Sequence, residues 1–333
     1  MNDTVVDATR HRSRWTSMAW WRSLFRDRPI IPLLALLALL VVVSELVRPG
    51  VVNPGWVGVI LRTAVPLAIL AGAQTLSMLT AGIDLSVGAV ASMSGFVVAT
   101  LVGGPGLGIG ILVALTACAL TGLVTGIGVG LFRVHPLIMT LGMSLVVLGL
   151  ANVWQIEMVQ TGAGVPPEFR TIGSELLFGV LPYSLAVFVP IAILILVGLR
   201  RTGYGRLLYA IGDNLVAARL SGVRPWQVLI ALYVITALLA GIAGFLYSGL
   251  TNTASVTLVD TQVLPSVAAA VIGGTSILGG RGGFGGAIVG ALILAVATSL
   301  LSSLGYPEAV RQILFGAIIV LVAAAYARVT DEA

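Results

Sequence analysis

Apolar runs of about 18 to 25 residues, the length that crosses a bilayer's hydrocarbon core as a helix, recur along this chain between short polar or glycine-rich stretches. The pattern predicts an all-α, polytopic integral membrane protein of about ten transmembrane helices. They fall at 29–47, 57–80, 85–103, 106–131, 136–154, 181–199, 226–249, 263–279, 284–303 and 309–327. If the glycine-rich second or eighth segment only re-enters, the number drops to about eight. The chain then divides into a basic N-terminal tail at 1–28, a transmembrane domain at 29–327 and a C-terminal tail at 328–333. Within the domain, the longest connections are 155–180 and 200–225.

Charge gives the direction of threading. Arg10, Arg12, Arg14, Arg22, Arg26 and Arg28 cluster before the first run, interspersed with Trp15, Trp20, Trp21 and Phe25. Clustered arginine before a first span is a cytoplasmic signature, and the tryptophans suit the membrane interface. The run from Ile30 to Val43 ends in Glu45 and Arg48 with no small-residue cleavage site, so an uncleaved first anchor is expected. Starting inside, ten spans place 14 of the 18 arginines and both termini in the cytoplasm. Glu45, Glu157, Glu168, Glu175, Asp260 and Glu308 collect outside. Two independent signals, span parity and charge, agree.

Composition removes whole classes of function. With 58% hydrophobic and 9% charged residues, the chain cannot cover a soluble surface. It contains no lysine, so it has neither the lysine of a phosphate-binding Walker loop nor a Schiff base. One cysteine, Cys118, and two histidines, His11 and His135, make a metal cluster or disulfide improbable. An intramembrane enzyme would need a convergent acid, base or nucleophile, and Cys118, His135 and Asp84 fall in three different segments. Catalytic residues are therefore expected to be none, metal none, and nucleic acid is not an expected partner. Arg62 and Arg311 fall near span ends, where snorkelling avoids a midplane cost on the order of 3 kcal/mol or more. No Asp, Glu or His is expected deep in a span, which counts against a proton-driven carrier.

Glycines at 122, 126 and 130, and at 282, 286 and 290, put bare strips on helix faces for close packing. Three segments say more. In Gly82-Ile83-Asp84-Leu85-Ser86-Val87-Gly88, Asp84 reads as a cap of the third span at the cytoplasmic edge, with Gly82 as the bend of a hinge and Ser86 beside it. In the 200–225 connection, Asp213 or Asn214 supplies an N-cap, Leu215 to Ser221 suits a short helix and Gly222 its stop. The third, Val271 to Gly283, closes one span and opens the next with almost no side-chain bulk around Arg281.

These three stretches, GIDLSVG at 82–88, GRLLYAIGDNLVAARLSGV at 205–223 and VIGGTSILGGRGG at 271–283, resemble the ribose-type permeases. Those are the membrane subunits of bacterial ATP-binding cassette importers for sugars. The resemblance runs over about 55–327 with the motifs in family order. It implies a second permease subunit, a copy or a paralogue, and cytoplasmic cassette ATPases carrying the ATP and Mg. It also implies an extracytoplasmic sugar-binding protein and residence in the inner-membrane bilayer. Gly212, Asn214, Ala217, Ala218, Arg219 and Gly222 carry over as ATPase-coupling positions. Two features depart from the family: Leu215, where a polar residue is common, and the tail before residue 29, which has no motif.

On this reading, alternating access moves the sugar. Glu157, Glu168, Phe169, Arg170 and Glu175 in the outer loop suit docking of the binding protein. Gln74, Thr75, Ser77, Ser92, Ser94, Thr140, Ser144 and Asn152 are candidates to line the pathway, although each can equally bond a neighbouring helix. The competing reading is a gradient-driven secondary carrier or channel for a small polar solute. Spans two to five and seven to ten also suggest an inverted internal repeat.

Overall fold

A computed structural model describes residues 30–158 and 164–331. The basic tail at 1–28, residues 159–163 of the outer connection and the last two residues of the expected C-terminal tail lie outside the described residues. In chain order the described elements are α1 (Ile30–Val47), α2 (Pro54–Leu79), α3 (Val87–Leu101), α4 (Leu107–Gly130), α5 (Pro136–Met158) and α6 (Pro167–Ser174). A hairpin of β1 (Leu176–Leu177) and β2 (Leu181–Pro182) follows, then α7 (Leu185–Arg201), α8 (Gly203–Asp213), α9 (Leu215–Leu220) and α10 (Pro225–Thr251). A 3-10 turn (Asp260–Gln262) leads into α11 (Val263–Ile272), α12 (Phe284–Ser303) and α13 (Glu308–Asp331). The tail expected from 328 thus continues helically to Asp331.

Six of these helices, α1, α2, α4, α5, α10 and α12, are long and apolar enough to cross a membrane. A seventh crossing results if α7 and α8, bent by 68° at their junction, count as one. The structure does not confirm the count of about ten, most clearly at the third expected span and at the eighth, one of the two for which re-entry is allowed. There α3 has 15 residues and α11 has 10, roughly 22 and 15 Å of helix against a core of ~30 Å. Turns and extended chain at 80–86 and 252–259 precede them. The two half-helices begin against each other. A Cβ on Gly88 would come within 3.2 Å of the Asp260 Cα, and Ser92 Oγ accepts from the Val259 amide at 2.9 Å. Non-helical backbone survives in an apolar layer only when protein wraps it and pairs its polar groups.

The wrapping is done chiefly by α10, which packs on α2, α3, α4 and α6. Its contact with α4 runs along the glycine strip: a Cβ on Gly126 would lie 2.6 Å from the Ile230 Cα, and one on Gly130 3.0 Å from the Trp226 carbonyl. Bare faces let the two backbones approach closely. The pairings recur between halves: α4 packs on α10 as α12 packs on α2, α3 on α10 as α11 on α2, and α3 on α5 as α11 on α13. Because one half runs opposite to the other, this is the packing of an inverted repeat. Large apolar side chains remain exposed on α1, α4, α5 and α7, among them Leu39, Leu112, Leu145 and Leu194, as lipid-facing helices require.

Two ends are distinct. At one, Gly280 N donates to the Leu79 carbonyl at 3.0 Å, beside α8 and α9 and the arginines 133, 200, 201, 206, 219, 224 and 281. At the other, α6 and the hairpin cover the first turns of α2: Arg62 Nη1 donates to the Ser174 carbonyl at 2.7 Å. The hairpin pairs Leu176 with Pro182 and Leu177 with Leu181, and turns through Phe178 and Gly179, both at positive φ. The arginine-rich end is the cytoplasmic one by the positive-inside rule.

Candidate functional site

Asp84 sits where the chain stops being helical, between α2 and α3, and it is 2% exposed. Its Oδ1 accepts from the Ser86 amide at 2.9 Å and the Ser86 hydroxyl at 2.6 Å. Its Oδ2 accepts from the Thr236 hydroxyl at 3.2 Å. Gln74 Nε2 donates to the Asp84 carbonyl at 2.7 Å, and Thr140 Oγ1 accepts from the Leu85 amide at 3.1 Å while facing the Ile83 carbonyl at 3.2 Å. Side chains of α2 and α5 therefore take over backbone bonds that a continuous third helix would have made, while α10 holds the carboxylate.

Three expectations are corrected here. Asp84 is not at the membrane edge: Thr236 lies 11 residues into α10, roughly 16 Å from its cytoplasmic start. Nor is Asp84 the helix cap itself. Ser86 holds that position and makes no side-chain cap bond to the helix, so Asp84 serves one turn earlier by taking the Ser86 amide. The bend also lies elsewhere, since the left-handed residue is Ala81, at φ 60°. Gly82 is bare because a Cβ there would meet the Tyr233 hydroxyl at 3.0 Å. Tyr233 and Thr236, three residues apart on one face of α10, complete this cluster, and sequence reasoning did not single them out. Tyr233 is 1% exposed and its hydroxyl has no hydrogen-bond partner among the described residues.

The cytoplasmic platform consists of α8 and α9. α8 is a helix that the sequence does not single out, and Gly203, Gly205 and Gly212 weaken it. It forms because Leu208 and Ile211 are buried, Tyr204 donates to the Val228 carbonyl at 3.0 Å and Tyr209 to the Gly282 carbonyl at 2.9 Å. Asn214, rather than Asp213, caps α9: its Oδ1 accepts from the Val216 and Ala217 amides at 3.0 and 2.9 Å. Gly222 stops α9 at φ +85°. Gly212 is pressed on the Leu79 carbonyl and Gly280, leaving no room for a side chain. Ala218 is buried. Of the six coupling positions, Asn214, Ala217, Arg219 and Gly222 are exposed, Asn214 and Gly222 at the two ends of α9. Val216 and Leu220 of α9 are 65% and 85% exposed; their i, i+4 spacing was the overlooked signal.

The eight candidate pathway residues do not form an open wall within this chain. Gln74 and Thr140 hold the Asp84 segment, Thr75 donates to the Ala71 carbonyl at 2.7 Å, and Ser92 and Ser94 bridge to Val259 and Gly241. Ser77 is fully buried with no partner among the described residues. Ser144 and Asn152 lie on α5, bonded to carbonyls of their own helix, with Asn152 exposed. A cavity of about 550 Å³ opens instead near the extracytoplasmic ends of α2, α10 and α12, and none of the eight lines it. In the outer connection Phe169 is in the core, stacked at 5.0 Å on Phe245, while Glu157, Glu168, Arg170 and Glu175 remain exposed. Among the described residues no group of acidic, histidine or cysteine side chains is placed to hold a metal.

A family model described as "Branched-chain amino acid transport system / permease component" matches residues 57–323. The ribose import permease protein RbsC of Bacillus subtilis (strain 168) is 33% identical over 291 residues, 87% of this chain and 90% of the relative. The fructose import permease protein FrcC of Rhizobium meliloti is 32% identical over 303 residues, 87% of this chain and 84% of the relative. The autoinducer 2 import system permease protein LsrC of Escherichia coli O9:H4 (strain HS) is 30% identical over 300 residues, 86% and 84% of the two chains. No solved structure gives a significant match.

Proposed function

The chain belongs to the family described as branched-chain amino acid transport system / permease component, and we propose that it is the transmembrane permease subunit of a bacterial ATP-binding cassette importer for a monosaccharide or related polyol. The carrying observation is relatedness over 87% of the chain to import permeases named for ribose and fructose. As a multi-pass protein of the cytoplasmic membrane without lysine, it has no phosphate loop of its own, and its relatives are permeases rather than ATPases. Free energy then comes from partner ATPase subunits that carry ATP and Mg.

The platform supports this reading physically. α8 and α9 are fixed to the ends of α2 and to the 273–283 turn through Gly212, Gly280 and Tyr209. A push on α9 is therefore delivered to both halves of the repeat at once. Alternating access follows as those halves rock about the paired half-helices. A second permease subunit and an extracytoplasmic binding protein complete the importer.

One observation favours a gradient-driven carrier: Asp84 is a carboxylate deep in the bundle, where proton relays are found. Against it, both carboxylate oxygens are engaged by neutral donors, and Asp84 does not line the cavity. Uptake of D-ribose and D-fructose into vesicles holding the assembled importer separates the two readings. An importer needs ATP and the binding protein and ignores a protonophore. Uptake by the chain alone, abolished by a protonophore, would mean a carrier.

A further inference from the structure

The extracytoplasmic cavity lies inside one subunit, between α2, the end of α10, the segment leading into α11, α12 and α13. At about 550 Å³ it falls within the range of roughly 300–1,000 Å³ common for small-molecule sites. Its walls have two characters. Leu67, Pro265 and Phe315 are apolar, whereas Thr298, Ser299, Gln262 and Tyr247 present hydroxyl and amide groups. Among the described residues, no Asp, Glu, Lys, Arg or His lines it.

The polar groups there are not used up. Thr298 makes no side-chain hydrogen bond among the described residues, and Ser299 accepts from the Trp56 indole at 2.9 Å, which leaves its own proton to donate. Gln262 meets Tyr247 and Thr261 only at 3.4 Å, near the limit of a useful bond. A charged solute would lose its hydration and find no counter-charge. An acyl chain would bury these hydroxyls unpaired, at about 1–3 kcal/mol each. A ring with hydroxyls on its rim and C–H groups on its face matches both kinds of wall.

We infer that this cavity binds one neutral, polyhydroxylated ring of monosaccharide size within a single permease subunit, with Thr298, Ser299 and Gln262 as its hydrogen-bonding residues. The inference rests on the sugar-import reading and assigns that reading a binding site in this chain.

The test places a thiol in the cavity. Ser302→Cys, on the cavity wall but outside the three hydrogen-bonding residues, is labelled in the full chain in membrane vesicles by an impermeant maleimide added from the extracytoplasmic side; Cys118 is buried. D-ribose, D-fructose, myo-inositol and gluconate are each present in turn. Occupancy slows labelling by the factor 1 + [L]/Kd, roughly tenfold at ten times Kd. Protection is expected from at least one neutral sugar or polyol and not from gluconate. No protection by any neutral compound, equal protection by gluconate, or no labelling in intact vesicles, as a lipid-filled cavity would give, overturns the site. ATP-driven uptake by the assembled importer keeps the two readings apart. Uptake unchanged by Thr298→Phe, with that variant folded, refutes the cavity and leaves the importer. Protection without ATP-driven uptake refutes the importer and leaves the cavity.

Discussion

Replacing Asp84 tests whether hydrogen bonding holds the broken third span. Asp84→Ala removes the acceptor of three hydrogen bonds, two from Ser86 and one from Thr236. Thr236 keeps an alternative, its bond to the Tyr233 carbonyl at 3.1 Å, so its loss is small. The Ser86 amide and hydroxyl have no such recourse. At about 1–3 kcal/mol for each buried donor left unpaired, the alanine variant loses about 2–6 kcal/mol. Asp84→Asn is isosteric; its oxygen accepts from Ser86 and its amide donates to the Thr236 oxygen, so it loses about 1 kcal/mol or less. The assay is the midpoint of thermal aggregation in detergent, followed by size-exclusion chromatography at one fixed heating rate, because such unfolding is irreversible. At roughly 2 °C per kcal/mol for a chain of this size, alanine lowers the midpoint by about 4–12 °C and asparagine by about 2 °C or less. If asparagine is as damaging as alanine, the negative charge itself matters and the hydrogen-bond account is wrong. An alanine variant as stable as the parent would refute it too.

Gly126→Leu forces a side chain into the Ile230 backbone, 2.6 Å from where its Cβ would sit, and should cost about 1–3 kcal/mol or more through overpacking. Gly142→Leu, in open space on α5, should stay within about 0.5 kcal/mol; the monodisperse yield of the two variants compares them. Arg62→Met removes the 2.7 Å bond to the Ser174 carbonyl, a charged hydrogen bond of about 1.5–3 kcal/mol. Limited proteolysis from the extracytoplasmic side should then cut within 167–182 sooner than in the parent, with the cytoplasmic platform unaffected.

Much of this architecture is legible in the sequence because lipid imposes strong rules. Arginine placement and span parity give the threading, and glycines at every fourth residue give the α4–α10 contact. Hydropathy fails where a span is not a helix. It cannot tell 15 helical residues plus an extended lead from a complete helix, so α3 reads as an ordinary span; the glycine-rich eighth segment, which holds α11, is instead marked as one that can re-enter. Asp84 was placed at the membrane edge for the same reason, since a carboxylate marks a boundary unless its partners are known. Those partners, Gln74, Thr140 and Thr236, come from distant parts of the chain. α8 carries no helix signal because its glycines oppose one, and tertiary contacts make it: the burial of Leu208 and Ile211 and the Tyr204 and Tyr209 hydrogen bonds. The serines and threonines of the spans were read as pathway candidates, but most hold backbone together. Composition alone does not separate a hydroxyl that faces a cavity from one that caps a carbonyl.

The most direct measurement is copurification of a cassette ATPase with the tagged chain in mild detergent, comparing the parent with a Val216→Asp, Leu220→Asp variant. Both side chains are exposed on α9, so the variant should fold within about 0.5 kcal/mol of the parent. Coming down with the parent and falling tenfold or more in the variant, a loss of about 1.4 kcal/mol, the ATPase would establish an importer driven through α9. Equal recovery with both chains would contradict the assignment of α9. Its absence from the folded parent, with ATPase partners expressed, would contradict the importer.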